Sequence, residues 1–341
     1  MSEVNIRWMA REMKLSISTI SKALNDSHEI SIETKRKVLE LANQLHYTPN
    51  PYASSLRRKK SNTIAIVIPE VADSYFSLAI NGIETVAMEK EYHVIVYLTH
   101  ENAEREASIL KDLSSGRVDG VLMSVSSETE NFGPLKELHA RKIPIVFFDR
   151  ICEEIPTATV TTNDFESGYS AAKHLMDCGC KKITYLSISN QLSIINTRME
   201  GYKKAIADEG NDMLLAEVVQ CSNEAPNTKS MIRELLLQED RPDGIIASVE
   251  KLATPVYENC HEIGIHIPNQ LKMICFSNLT TATILNPPLT TITQPAFDMG
   301  KTAAEILFKA LTKRNYILKD QHIVIPSELI IRTSAFIKVS A

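Results

Sequence analysis

No stretch of this 341-residue chain approaches the roughly 18 apolar residues in a row that a membrane span requires. The opening MSEVNIRWMAREMK carries charges where a signal peptide needs its apolar segment, so a chain that stays in the cytoplasm is expected. The six cysteines, at 152, 178, 180, 221, 260 and 275, form no CxxC pair, and Cys178-Gly179-Cys180 is an isolated CxC. Reduced, mostly buried thiols are therefore expected, not a metal site or a disulfide framework. The nine histidines include no HxxxH pair, and neither a G-x-S-x-G elbow nor a phosphate loop occurs. On these absences the chain is not expected to be an enzyme; no catalytic residue, metal or cofactor is assigned.

What is present is an ordinary globular composition, 44% hydrophobic and 23% charged, in a chain long enough for two or three domains. The charge is unevenly spread. Residues 1–60 hold eleven Lys or Arg against six Asp or Glu, a net +5, while the remainder holds 26 against 36, a net −10. A basic head on an acidic body is a hint of a nucleic-acid-binding module.

That head contains only helical patterns. Ile6, Met9, Ala10 and Met13 fall at helical spacing; a second helix over about 17–24 starts from Ser16 as N-cap. A third, over about 32–45, starts from Ser31, with Glu33 in its first turn and Val38, Leu41, Ala42 and Leu45 as its apolar stripe. Tyr47-Thr48-Pro49-Asn50-Pro51 punctuates the chain, and 51–58 can form one more short helix with Pro51 at its first position. From Thr63 the texture changes. Apolar strands (TIAIVIP, HVIVYL, DGVLMSV, IPIVFF, then KITYLSI, DGIIAS, LKMICF) alternate with amphipathic helices in two series, the second beginning near 158. Such runs argue parallel sheets covered on both faces. The expected fold is an all-α helix-turn-helix head followed by an α/β body of two doubly wound parallel-sheet subdomains.

The tight turn Lys14-Leu15-Ser16 joins the first two helices as in a helix-turn-helix, whose second helix lies in the major groove. The pattern S-x-x-T-I-S-K-x-L-N from Ser16 to Asn25, followed by Y-x-P-N-x-x-A-x-x-L from Tyr47 to Leu56, resembles the DNA-binding head of the lactose-repressor (LacI/GalR) family. PIVFFDR, NDFESGYSAAKHL, Arg198-Met199-Glu200-Gly201-Tyr202 and PPLTTITQPAFDMGKTAAEIL follow in the family's order, so the resemblance covers essentially the whole chain. It implies a body like the type I periplasmic binding proteins, and a transcription regulator. Such a regulator, a repressor, binds double-stranded palindromic operator DNA as a homodimer under the control of a small-molecule, carbohydrate-like effector. Only seven residues follow Arg332-Thr333-Ser334, without a leucine heptad, so a dimer is expected and not a tetramer. The alternative is a solute-binding protein without DNA regulation, which the basic head and the missing signal peptide disfavour. No membrane partner is implied; the place of action is the cytoplasm, at the nucleoid when DNA is bound.

Residue by residue, the resemblance puts Ile17, Ser18 and Lys22 against base edges, and Ser16, Thr19, Ser21 and Asn25 on phosphates. A Lys can donate to guanine O6 and N7 as a point charge, whereas Ile17 offers only apolar contact. Lys14 stands where the family usually has Gly; a left-handed non-Gly residue there costs about 1 kcal/mol. Asn50–Leu56 resembles the hinge helix, with Leu56 as a minor-groove wedge and Ala53 small enough for two such helices to approach. Around the cleft the resemblance places Tyr75, Phe76, Asp149, Arg150, Asn163, Phe165, Arg198, Glu250, Ser277 and Asn278. Two departures bear on the effector. Cys275-Phe276-Ser277 replaces G-F-D, and Ser248-Val249-Glu250-Lys251 replaces the common Asn-Asp or Asp-Asp pair. Either the effector is not a simple sugar bound in the usual manner, or the polar grip on it has moved. The expected domains are 1–49 (helix-turn-helix), 50–62 (hinge and linker) and 63–341 (effector-binding and dimerisation). The last divides into an N-subdomain (about 63–160 and 293–322) and a C-subdomain (about 161–291 and 323–341).

Overall fold

A computed structural model describes residues 5–45, 47, 60–188, 192–211, 213–222, 225–313, 318 and 321–336. The chain forms two compact units, Met1–Ser61 and Asn62–Ala341.

In the first unit, α1 (Ile6–Glu12), α2 (Ile17–Leu24) and α3 (Ile32–Gln44) start where side chains satisfy the free backbone N–H groups. Asn5 accepts from Arg7 and Trp8, Ser16 from Thr19 at 3.0 Å, and Ser31 from Thr34 at 3.2 Å. Both α1 and α2 end on a non-glycine residue in the left-handed region, Lys14 (φ 53°) and Asp26 (φ 51°). The next amide then reaches back into the last turn: Leu15 N–H donates to Ala10 O, and Ser27 N–H to Lys22 O, both at 3.0 Å. These are Schellman closures, and the two extra hydrogen bonds offset the ~1 kcal/mol that Lys14 loses to sterics. Met9, Ala10, Ile20, Ala23, Val38 and Ala42 form the small buried core.

The body contains two six-stranded sheets. The first comprises β1 (Thr63–Ile68), β2 (His93–Leu98), β3 (Gly120–Met123), β4 (Ile145–Phe148), β5 (Thr159–Thr161) and β11 (His322–Val324), in the order β11-β5-β4-β3-β1-β2. Its pairs are parallel throughout. The second comprises β6 (Lys182–Ser187), β7 (Leu215–Gln220), β8 (Gly244–Ala247), β9 (Lys272–Phe276), β10 (Thr290–Thr293) and β12 (Glu328–Ile330). Its order is β12-β10-β9-β8-β6-β7, parallel except for the β10–β12 pair. Helices α4 (Ser74–Glu89), α5 (Ala103–Leu113), α6 (Gly133–Ala140) and α11 (Ala296–Thr312) flank the first sheet. The second is flanked by α7 (Asp164–Asp177), α8 (Ser193–Glu209), α9 (Ala225–Leu237) and α10 (Ala253–Ile263).

The apolar runs of β1 explain the double covering. Ile64, Ile66 and Ile68 face α4 and α11, while Ala65 and Val67 pack with Ile109, Leu110 and Leu113 of α5. The sequence pattern missed β7, an edge strand whose LAEVVQ is half exposed and carries no apolar run. The chain passes between sheets after β5, between β10 and α11, and between β11 and β12. β11 extends to Val324 in the first sheet, paired with Thr161, so the last crossing falls after 324. Among the described residues no helix is long and apolar enough to cross a membrane.

Candidate functional site

The head presents one face of α2 to solvent. Ile20 and Ala23 are buried, which fixes the helix's rotation about its axis. Ile17, 46% exposed, and Ser18, exposed, lie on the outer face at the N-terminal end; Lys22 is half-buried one turn on. Of the side chains expected on phosphates, Ser16, Thr19 and Asn25 are already engaged with the helix itself. Ser16 Oγ caps α2 and lies 2.8 Å from Thr19 Oγ1, and Asn25 Nδ2 donates to Ser21 O at 2.7 Å. Lys22 forms an ion pair with Glu29, which sequence reading did not single out; the pairing lowers the Glu29 pKa. No helix-period signal could have found it, because Glu29 lies in the turn between α2 and α3. Lys35 makes a similar pair with Asp26 at 2.7 Å. Ala53 and Leu56, expected in the hinge, lie outside the described residues.

In the body, the carboxyl ends of the strands face each other across a cleft, the usual ligand position of open α/β sheets. Tyr75, Phe76, Asp149, Arg150 and Arg198 line a cavity of about 30 Å³ there, and Glu250, Ser277 and Asn278 complete it. Asn163 and Phe165 are not brought into this lining. Asn163 Oδ1 instead accepts from the Ser327 amide at 2.7 Å and from Ser167 Oγ, tying α7 to the β11–β12 crossing. Phe165 is 37% exposed.

Each buried charge has a partner. β4 ends at Phe148, and Asp149 takes a left-handed conformation, φ 62°, a strained position of the kind that clusters at ligand sites. Arg150 Nη1 donates to both oxygens of Glu101, at 2.8 and 3.0 Å, and Arg150 Nε lies 3.7 Å from Asp149 Oδ2. Burial pushes the Asp149 carboxyl up to about 6 despite the opposing Arg150 and Arg198 charges. Burial, followed by repulsion from Glu250, also raises Asp73.

Arg198, only 2% exposed, donates through Nε to Asp164 Oδ1 at 2.6 Å and through Nη1 to Ser248 O at 2.9 Å. Its guanidinium lies over the Phe276 ring at 4.3 Å. What brings Arg198 beside Asp164 is the crossing of α7 and α8. A Cβ on Gly168 would lie 2.0 Å from Arg198 O, and one on Gly201 2.0 Å from Phe165 O. Only glycine permits that approach. Four polar atoms on the cleft's lining have no hydrogen-bond partner among the described residues: Arg150 Nε, Arg198 Nη2, Gln294 Nε2 and Asn278 Oδ1. Three donors and an acceptor are thus left for a hydroxyl-bearing ligand. Sequence reading missed Asp73, Ser74, Asp164 and Gln294, which only the tertiary arrangement brings to the cleft. The described residues hold no group of three or more His, Cys, Asp or Glu placed to bind a metal.

Comparison with known proteins covers both units. The signature "bacterial regulatory proteins, lacI family" matches residues 5–50, and "periplasmic binding protein-like domain" matches 172–335. A ribose operon repressor of Halalkalibacterium halodurans is 30% identical over 328 residues, 96% of each chain. The crystal structure of the lac repressor dimer bound to operator and an anti-inducer superposes with a TM-score of 0.83 at 19% identity, covering 98% of this chain and 99% of that one. A LacI family regulator from Enterococcus faecalis with bound ribose gives 0.71 at 25% identity, covering 80% and 98%.

Proposed function

Because the chain belongs to the lacI family of bacterial DNA-binding transcription regulators, and is not an enzyme, we propose that it is a repressor that binds a palindromic operator as a homodimer. Its functional divisions are 1–49 for DNA reading, 50–62 for the hinge and 63–341 for effector binding and dimerisation. It acts in the cytoplasm, at the nucleoid when operator is bound.

The observation that carries the DNA-reading role is that Ile17 and Ser18 stand exposed and Lys22 half-exposed on α2 while Ile20 and Ala23 lock the other side. Ile17 gives apolar contact to a thymine methyl, Lys22 donates to a guanine, and Ser16, Thr19, Ser21 and Asn25 hold phosphates. For Ser16 and Asn25 that role is shared with the helix ends they already bind, so phosphate contact also stiffens α2. Leu56 wedges the central base step of the operator, with Ala53 at the crossing of the two hinge helices. The apolar edge strand β2, where Ile95 and Val96 stand exposed, supports a surface that a second copy covers.

In the cleft, a sugar or sugar derivative meets Arg198, Asn278 and Asp149 through its hydroxyls and Tyr75 or Phe76 through its ring; Phe165 acts from the rim, and Asn163 serves the site by holding α7 to Ser327. Effector binding in the cleft biases the body between states of different operator affinity. The test of DNA reading is a comparison of Lys22→Ala with wild type across every single-base variant of a selected operator. Loss of discrimination at one base pair per half-site, about tenfold or more, is the expected outcome. A uniform loss across all sequences would make Lys22 a phosphate contact and remove it from the base-reading set.

A further inference from the structure

The cleft has an occupant of its own. Glu250, at the start of a 3₁₀ turn (Glu250–Leu252), reaches from the second lobe to the N-terminus of α4 in the first. Its Oε1 accepts from the Ser74 amide at 3.3 Å. Its Oε2 accepts from Ser74 Oγ, from Ser277 Oγ at 2.9 Å and from the Asn278 amide at 3.0 Å. Four donors from two lobes converge on one carboxylate, and two of them are backbone groups that no side-chain motion can withdraw. Glu250 lines two neighbouring cavities, together with Asp73, Phe76, Arg150 and Val249: an inner one of about 30 Å³, next to Arg198 and Gln294, and an outer one of about 360 Å³, bordered by Glu70, Glu101 and Thr254. The inner space equals the share of one water in the liquid, whereas small-molecule sites run to several hundred Å³. Beside it stand Arg198, whose Nη2 has no partner among the described residues, and Gln294, 7% exposed with its Nε2 likewise unpartnered. Buried donors of this kind point to an acceptor-bearing ligand.

We infer that Glu250 fills, in cis, a carboxylate seat made by Ser74, Ser277 and Asn278, and that the effector of this regulator is an acidic sugar derivative whose carboxylate replaces it. The inference rests on the reading of the cleft as the effector site. The ligand's carboxylate takes over the four donors that Glu250 leaves, whereas a neutral sugar in its place would leave them facing no anion. With Glu250 turned away from the seat, a ligand whose carboxylate sits there has Arg198 and Gln294 beside it for its hydroxyls. Ser277 and Glu250 belong to the two cleft segments that depart from the family pattern, and here they bind each other.

The test uses the full chain, with body unfolding followed by calorimetry in sodium acetate, sodium phosphate and sodium chloride at matched ionic strength and neutral pH. Glu250→Ala empties the seat: its Tm is expected to fall by about 5 °C, and acetate, not chloride, restores much of the loss. In wild type the seat is filled, so acetate does no more than chloride. Glu250→Gln keeps the length without the charge and is expected to unfold below wild type with no acetate response. The proposal is overturned if Glu250→Ala gains no more from acetate than from chloride. It is also overturned if wild type gains as much as the variant, which would make acetate an adventitious additive only, or if phosphate alone restores stability. Should Glu250→Ala not fold, a Glu250→Gln protein as stable as wild type overturns it equally. The effector-site reading fails separately, if a compound that changes operator affinity protects amides from hydrogen exchange only away from the cleft.

Discussion

The head and the cleft solve recognition in opposite ways. In the head, the candidate groups lie within ten residues of one helix, from Ser16 to Asn25, and stand exposed or half-exposed. In the cleft they are drawn from positions as far apart as Asp73 and Gln294, and most are buried and paired. An exposed ion pair such as Lys22–Glu29 is screened and easily exchanged for a DNA contact. A buried pair such as Arg198–Asp164 is not, because removing one charge strands the other in a low-dielectric site. The head can therefore change its specificity without endangering its fold, and the cleft cannot.

That contrast breaks first at Arg198. Arg198→Ala leaves Asp164 buried without its cation, and a loss of about 3–5 kcal/mol in body stability is expected by urea unfolding. A loss below about 1 kcal/mol would put the pair in the same class as a surface contact. Next comes the crossing that sets the pair. Gly201→Ala puts a methyl against Phe165 O in α7, where only a backbone shift relieves the clash, and about 2–3 kcal/mol is expected by the same measurement. A fully stable Gly201→Ala protein with normal Arg198–Asp164 geometry would show that the close approach is not needed.

Asp149 gives the pH signature. Its folded pKa of about 6 lies above the usual carboxyl value of 3.8. The folded state therefore binds the proton more tightly, and this group's stabilisation is present below about pH 4 and lost as pH rises through 6. Asp149→Asn removes the loss, so its stability relative to wild type should improve between pH 5 and 7.5, by up to about 3 kcal/mol over the full titration. A pH-independent difference would contradict the assignment. The smallest effect belongs to the head. Glu29→Gln should leave the unfolding midpoint unchanged while strengthening DNA binding at low salt, because Lys22 no longer has a competing carboxylate and an acidic charge near the phosphates is gone. Fluorescence anisotropy with operator DNA across a salt series would detect it, and unchanged affinity would show that the pair does not compete with DNA.

Local signals made the head legible. Ser16 and Ser31 are N-caps, Ile20 and Val38 are core positions, and α2 spans 17–24 as the spacing indicates. The alternation of apolar strands and amphipathic helices likewise announced two parallel sheets, because doubly covered strands must be apolar on both faces. The half-exposed β7 escaped because an edge strand needs no such run. In the cleft, Arg198 and Glu250 were visible as residues of the right chemistry, but their partners Asp164 and Ser74 were not.

By itself, then, the sequence determined what depends on neighbours in the chain: the caps, the helix faces, the strand periodicity, and the S-x-x-T-I-S-K pattern that places a basic helix on DNA. Tertiary structure alone decided which charges are neutralised and which donors remain. Asn163 was turned from the cleft to the Ser327 amide, and Glu250 was fastened across the lobes to Ser74. The physical reason is that a buried charge is stabilised by whatever lies within hydrogen-bonding reach. For Glu250 that partner stands 176 positions away, at a distance no local pattern encodes.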